Sequence, residues 1–321
     1  MPAVLQCLDA EQWVTGGAIG AQLGIGRAAV WKQIDSLRDC GVEVDAQAGI
    51  GYRLRKPPCW LDRDQIVSWL DATRSNTAVE VVWQTGSTSA DLWQRETVDS
   101  GWLALMAESQ TGGRGRRGRP WTSPAGAGLW LSMRGLINVG LAQLSGLAIA
   151  VAVVTTAALR QTMGIECQLK WPNDLYLQHR KLGGVLVEAR GETNGPCDVV
   201  IGIGINCDLP KAARAGIDQA NISLADVASG TIDRNRLAAA LLNALGAGLQ
   251  SFTEKGLVAF SDDWNKLDML RGHQVMVERE SHPTLHGTPL GIDRWGRLRV
   301  QDSSGVEHLL SDGEVRVRIR A

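Results

Sequence analysis

The sequence has almost no net charge. Its 33 lysines and arginines are balanced by 34 aspartates and glutamates, a formal charge of −1. Without a global positive field, any contact with nucleic acid has to be local. There is also no Cys-x-x-Cys pair among the six cysteines, Cys7, Cys40, Cys59, Cys167, Cys197 and Cys207. Scattered thiols in a long chain, with no basic-then-apolar leader at residues 1–9, predict reduced cysteines and a cytoplasmic protein. The histidines lack metal spacing. His282 and His286 are four apart, but Pro283 between them argues against one helical face. No run of about 18 unbroken apolar residues occurs. The most apolar stretch, residues 141–159, is interrupted by Gln143, Ser145, Gly146, Thr155 and Thr156, which predicts a buried helix and not a membrane span. Internal repeats and low-complexity tails are absent. So is the Gly-x-x-x-x-Gly-Lys-Ser/Thr pattern, which excludes a P-loop nucleotide site.

What is present begins with length. A chain of 321 residues predicts two or three domains. Residues 113–121 then stand out: Gly113-Arg114-Gly115-Arg116-Arg117-Gly118-Arg119-Pro120-Trp121. Glycines permit close backbone approach, and arginine presents a planar cationic fork to carboxylate or phosphate oxygens. Trp121 offers a flat face on which a base can stack. Two readings stay open on this segment alone, a lid over an anionic aromatic ligand and a solvated basic patch for a polyanion.

Residues 1–59 read as a winged helix-turn-helix. A helix over 15–23, a turn at Leu23-Gly24-Ile25-Gly26 and a second helix over 27–40 are followed by short strands at 42–44 and 52–54 around Gly49-Ile50-Gly51. Val30, Ile34 and Leu37 give the second helix one buried stripe, and Ala28, Lys32, Asp35 and Ser36 point away from it. Arg27, Ala28 and Lys32 are therefore the candidate DNA contacts of a recognition helix, with Arg53, Arg55 and Lys56 of the wing meeting phosphates. A helix-turn-helix used only for protein contact is the other reading, because the segment through Pro58 carries six basic and six acidic residues. Pro57-Pro58 marks a stiff linker.

Residues 60–270 alternate strands and helices. A helix with Asp62 as N-cap is predicted over 62–70, strands over 79–83, 102–107, 129–133 and 168–171, a long helix over 142–163, and a closing amphipathic helix over 234–249. Ser87, Thr88 and Ser89 sit just past a strand end. They either cap the next helix or grip a polar head group. Asp174, after Pro172-Asn173, either binds Mg²⁺ or forms a turn. Lys181 opens a strand at 181–188 that should face another at 199–206. Gly202 and Gly204 inside the latter mark a place where a ligand approaches the backbone. That Gly-x-Gly lacks the third glycine and following helix of a dinucleotide fold. Residues 271–321 predict short strands at 274–279, 287–293, 298–302 and 315–319, with a hairpin at Asp293-Arg294-Trp295-Gly296, and hence a small barrel.

Together, the segment 113–121, Lys170-Trp171-Pro172-Asn173-Asp174 and Lys181-Leu182-Gly183-Gly184-Val185-Leu186-Val187-Glu188 resemble the biotin protein ligases. With the winged helix, the chain resembles the bifunctional kind, biotin–[acetyl-CoA-carboxylase] ligase and biotin operon repressor, over essentially its whole length. The resemblance implies an α+β protein in three domains. These are a winged helix-turn-helix at 1–59, a class II synthetase-like mixed sheet with helices that binds biotin and ATP at 60–270, and an SH3-like barrel at 271–321. It implies that biotin and ATP form biotinyl-5′-AMP, with Mg²⁺, and that biotin passes to one lysine of the biotin carboxyl carrier protein. Ser87, Thr88, Ser89 and Gln110 then match residues that hold biotin. Arg114, Gly115 and Arg116 match the closing loop, and Lys181 matches the lysine that reaches carboxylate and phosphate, catalytic together with Arg116. Arg119, Trp121, Lys170, Asn173, Asp174 and Asn206 match the ATP or adenylate side, with Asp174 toward Mg²⁺. Ser89 departs from the family's asparagine, and Trp31 is large for a recognition helix. The resemblance further implies a homodimer promoted by biotinyl-5′-AMP that binds the operator of biotin-synthesis genes. Three rivals remain: a lipoate or octanoate ligase, a regulator that only senses a small molecule, and a ligase whose winged helix no longer binds DNA.

Overall fold

Short apolar stripes, each closed by a glycine or a cap, set the N-terminal elements. The computed structural model describes residues 1–56, 59–71, 76–96, 100–279, 282–311 and 315–319, so the expected Pro57-Pro58 linker lies outside the described residues. A short α1 (Ala3–Gln6) precedes α2 (Gly16–Leu23), whose first turn is capped by Thr15 Oγ1 accepting from Ala18 N at 3.1 Å. Gly24, left-handed at φ 67°, ends α2. The recognition helix α3 (Arg27–Asp39) buries Val30, Ile34 and Leu37, the expected stripe. Its exit at Gly41 (φ +97°) delays the following strand, so β1 spans Val44–Gln47 and not 42–44. It pairs antiparallel with β2 (Gly51–Leu54) to form the wing.

The central body is a seven-stranded mixed sheet. In chain order come α4 (Arg63–Ser68), β3 (Thr77–Thr85), α5 (Thr88–Gln94), β4 (Trp102–Gln110), β5 (Gly128–Ile137), α6 (Leu147–Met163), β6 (Gln168–Lys170), β7 (Asp174–Leu177), β8 (Arg180–Gly191) and β9 (Cys197–Asn206). The strand order is β3-β4-β5-β9-β8-β7-β6, with only β3–β4 parallel. The strands expected at 181–188 and 199–206 do face each other, with Gly184 opposite Gly204. Residues 172–174 do not simply stop a strand, because Asp174 opens β7. The expected long helix is divided. A 3₁₀ turn over Leu141–Leu144 ends at Gly146, whose φ of +82° no side chain tolerates easily, and α6 follows. The stretch Leu141–Met163 is apolar enough by composition to cross a membrane, but α6 buries ten side chains against the sheet and the next long helix.

Helices α7 (Lys211–Ala215), α8 (Arg234–Lys255) and α9 (Ser261–Leu267) complete this body. The C-terminal strands β10 (Val275–Arg279), β11 (His282–Ile292), β12 (Leu298–Asp302), β13 (Glu307–Leu310) and β14 (Val315–Ile319) form one antiparallel sheet in the order β13-β12-β11-β10-β14. Asp293 Oδ1 accepts from Trp295 N and Arg297 N, both at 2.9 Å, and closes the predicted hairpin. Val277, Leu298 and Val300 belong to the same apolar cluster as Leu129 and Leu131, so the C-terminal sheet shares the central core. The winged helix has its own cluster, which borrows Ala125 from the central body.

Candidate functional site

The polar end of the site is built where β3 gives way to α5. Ser87 is the N-cap of α5, accepting from Ala90 N at 3.4 Å, and it also lines the cavity, so its capping and ligand-facing readings coexist. Thr88 and Ser89 follow on the helix. The Thr88 hydroxyl lies 2.7 Å and the Ser89 hydroxyl 2.9 Å from the Ser132 hydroxyl, at the middle of β5. Gln110, at the end of β4, accepts from Thr88 N at 2.9 Å through Oε1 and donates to Ser123 Oγ at 3.0 Å through Nε2. The result is a buried hydroxyl–amide network at one wall of a cavity of about 170 Å³.

Small residues on β9 make room for this wall. A Cβ on Gly202 would lie 2.9 Å from Ser89 Oγ, and one on Gly204 would lie 2.8 Å from the Trp121 indole. The glycines expected to mark a close approach therefore do so, and both line the cavity.

Residues 113–121 form a narrow flap. Trp121 N donates to Gly113 O and Gly115 N to Arg119 O, each at 2.8 Å. Its tip is a 3₁₀ turn, Arg116–Gly118, with Arg117 left-handed at φ 57°. Arg114, Gly115, Arg116, Arg119 and Trp121 line the cavity, whereas Arg117 does not. Arg116 Nη1 donates to Asn173 Oδ1 at 3.4 Å, tying the flap to the start of β7. Lys181 Nζ is 2.7 Å from Asp174 Oδ1 and 5.3 Å from the Trp121 ring centroid. Four cations and a single carboxylate, Asp174, line the cavity. Such a field favours an anionic ligand.

Two candidates stand apart from this lining. Lys170 points to the Tyr176 ring at 5.5 Å. Burial lowers its ammonium pKa, and the Asp174 carboxylate opposes that effect. Asn206 is buried at the end of β9 and donates through Nδ2 to Ile222 O at 3.2 Å. Conversely, sequence reasoning missed Ser132 and Ser123. Ser132 was visible as one hydroxyl in the otherwise apolar Leu129-Trp130-Leu131-Ser132-Met133. Also missed was the buried pair Arg234–Glu108 at 2.7 Å, which ties α8 to β4. Arg234 donates in addition to Cys59 O and Gly128 O. Among the described residues no cluster of three His, Cys, Asp or Glu side chains suits a metal ion.

On the winged helix, Arg27, Ala28 and Lys32 are exposed on α3. Arg53 is half-buried on the wing. Its guanidinium lies 3.5 Å from Asp45 and 4.7 Å from the Trp13 ring centroid.

A cationic flap over a hydroxyl-lined cavity, joined to a helix-turn-helix module, defines a ligase-type anion-binding site with an attached DNA-binding domain. The Biotin/lipoate A/B protein ligase family model matches residues 79–206, and an HTH domain model matches residues 3–53. The chain is 38% identical to the Bifunctional ligase/repressor BirA of Salmonella typhimurium, over 99% of this chain and 98% of that protein. It is 37% identical to the protein of the same name from Escherichia coli, over 95% of this chain and 92% of that one. The structure of the biotin protein ligase from Aquifex aeolicus in complex with biotin and ATP superposes with a TM-score of 0.63 at 26% identity, covering 75% of this chain and 99% of that one. The chain belongs to the biotin protein ligases, in their bifunctional ligase/repressor form.

Proposed function

We propose that this chain joins biotin to a lysine of the biotin carboxyl carrier protein of acetyl-CoA carboxylase, and that its adenylate intermediate makes it a repressor of biotin-synthesis genes. In the first step a biotin carboxylate oxygen attacks the α-phosphorus of ATP, giving biotinyl-5′-AMP and releasing pyrophosphate. In the second, the neutral ε-amine of the carrier lysine attacks the acyl carbon. The amide forms, AMP leaves, and the amine's proton is released. The reacting groups belong to the substrates, so the protein has to align two anions and balance charge that grows on phosphorus. The convergence of Lys181 and the flap arginines on one cavity beside a hydroxyl–amide wall carries this reading.

Ser87, Thr88, Ser89 and Gln110 hold the uncharged head of biotin, with Ser132 behind them. Arg114, Gly115 and Arg116 close over its carboxylate, and Lys181 bridges carboxylate and α-phosphate. Arg119, Trp121, Lys170, Asn173, Asp174 and Asn206 serve the nucleotide, with Trp121 as its stacking face. A lone carboxylate in a cationic cavity fits Mg²⁺ that arrives with the ATP phosphates, since that ion commonly uses one or two carboxylates plus phosphate. Asp174 would hold it, and it would supply charge neutralisation. The division into domains at 1–59, 60–270 and 271–321 follows the same reading, as does a cytoplasmic setting with reduced thiols. Dimerisation belongs to the central sheet. Residues 186–191 of β8 pair with β9 only, among the described residues, which leaves a strand edge for a second copy or for the carrier protein.

Pyrophosphate release with biotin and ATP, but not with lipoate and ATP, followed by transfer to a purified carrier domain, tests the ligase. Release with lipoate alone would assign the chain to the other branch of its family. A ligase-only reading is favoured by the neutral winged helix. Footprinting with and without biotinyl-5′-AMP decides it, because adenylate-independent and sequence-independent binding leaves only the enzyme.

A further inference from the structure

The winged helix has six basic residues, and four of them have partners within the protein, although the Arg55 and Lys56 side chains stay more than half exposed. Arg38 donates through Nε and Nη2 to Val44 O at 3.1 and 2.8 Å. Arg53 lies against Asp45 and Trp13. Arg55 is paired with both Glu43 and Asp45 at 3.0 Å, and Lys56 with Asp208 of the central body. Arg27 and Lys32 have no ion pair or hydrogen bond among the described residues. Asp35 follows Lys32 on the open face of α3. A module so short of free cations gains little from phosphate neutralisation, which ordinarily dominates DNA affinity.

The same face carries an unusual side chain. Trp31 is 57% exposed, next to Lys32 and three residues after Ala28, on the flank of α3 about 90° round from the buried stripe of Val30, Ile34 and Leu37. Exposure of one aromatic says little by itself. Its position says more, because this is the face that a helix-turn-helix lays into the major groove. There the 5-methyl of thymine is the apolar feature an indole can cover.

We infer that Trp31 is the base-reading residue of α3, covering thymine methyl groups in the major groove, and that this contact replaces phosphate charge as the main source of operator affinity. The inference rests on the repressor reading above. It commits to duplex DNA because Trp31 is continuous with Ala28 and Lys32 on the groove-facing side.

The test starts from a duplex selected in vitro on the full-length protein with biotin and MgATP. Thymines in each protected half-site are replaced singly by deoxyuridine, which removes only the methyl. Wild type should lose about fourfold in affinity at one or two positions, the scale of one buried methyl group. Trp31→Ala should bind the unmodified duplex about tenfold more weakly and be indifferent to the same replacements, with an unchanged melting temperature. Trp31→Phe should fall between the two. With two free cations per protomer, a dimer should also show a slope of log K against log salt near −4, from about −0.9 per neutralised phosphate. Wild-type affinity in Trp31→Ala, equal deoxyuridine sensitivity in both proteins, or a slope steeper than about −7 overturns the inference and leaves the repressor reading standing. Failure to select any sequence removes both.

Discussion

The Lys181 ammonium stands 2.7 Å from the Asp174 carboxylate inside the cavity. The carboxylate holds the lysine at the cavity wall, with its ammonium 5.3 Å from the Trp121 ring centroid. Lys181→Ala is expected to lower the rate of pyrophosphate release from biotin and ATP by about 10²–10³-fold, the scale of losing one preorganised charge-stabilising donor. A wild-type burst of pyrophosphate in the variant would remove Lys181 from the chemistry.

Arg116 reaches across the cavity to Asn173. Its loss should matter most once the adenylate is formed, because the flap then has less to hold it shut. Arg116→Gly is expected to accelerate biotinyl-5′-AMP release at least about tenfold, in line with a charged hydrogen bond of about 1.5–3 kcal/mol. The dissociation rate of labelled adenylate measures this directly, and an unchanged rate would show that the flap closes without Arg116.

Ser132 binds two of the hydroxyls that line the cavity, yet it is 1% exposed. Ser132→Ala frees Thr88 and Ser89 to turn. The KM for biotin should rise about fivefold, since each neutral hydrogen bond contributes about 1 kcal/mol, while kcat moves little. An effect on kcat alone would instead put Ser132 in the chemical step.

Arg234 and Glu108 form a buried pair. Arg234→Ala removes the guanidinium from the buried Glu108 and leaves it only the hydrogen bond from Leu61 N, a loss of about 3–5 kcal/mol. Urea unfolding should show that loss as a lower midpoint with a similar slope. A midpoint within experimental error of wild type would mean that water replaces the guanidinium.

Burial pushes the Cys167 and Cys207 thiols up to about 12. A raised folded-state pKa stabilises the fold fully below the unfolded value, about 8.5. That stability is lost as pH climbs through the folded value. Thermal midpoints should therefore fall from about pH 9 upward, and neither thiol should react with iodoacetamide in the native protein at pH 8. Rapid native alkylation of Cys207 would show that its surroundings open.

Much of this was legible in order along the chain. The stripe Val30, Ile34 and Leu37, the Asp62 cap and the Asp293 to Gly296 hairpin each depend on neighbours within a few residues. Failures came where a distant partner decides. Pro172 and Asn173 do form a turn, yet Asp174 pairs with Gly184 and opens β7. Arg53, read as a phosphate contact, also lies against Asp45 and the Trp13 ring, which no reading of the wing alone shows.

The sequence by itself determined the family, the inventory of cations and hydroxyls, and the periodicities that make each helix and strand, because these are local in the chain. The tertiary structure alone decided which of those groups share one cavity. Ser132 joins Thr88 and Ser89 across 44 and 43 residues, and Arg116 meets Asn173 across 57. Strand order and register fix such pairings, and no spacing within a segment encodes them.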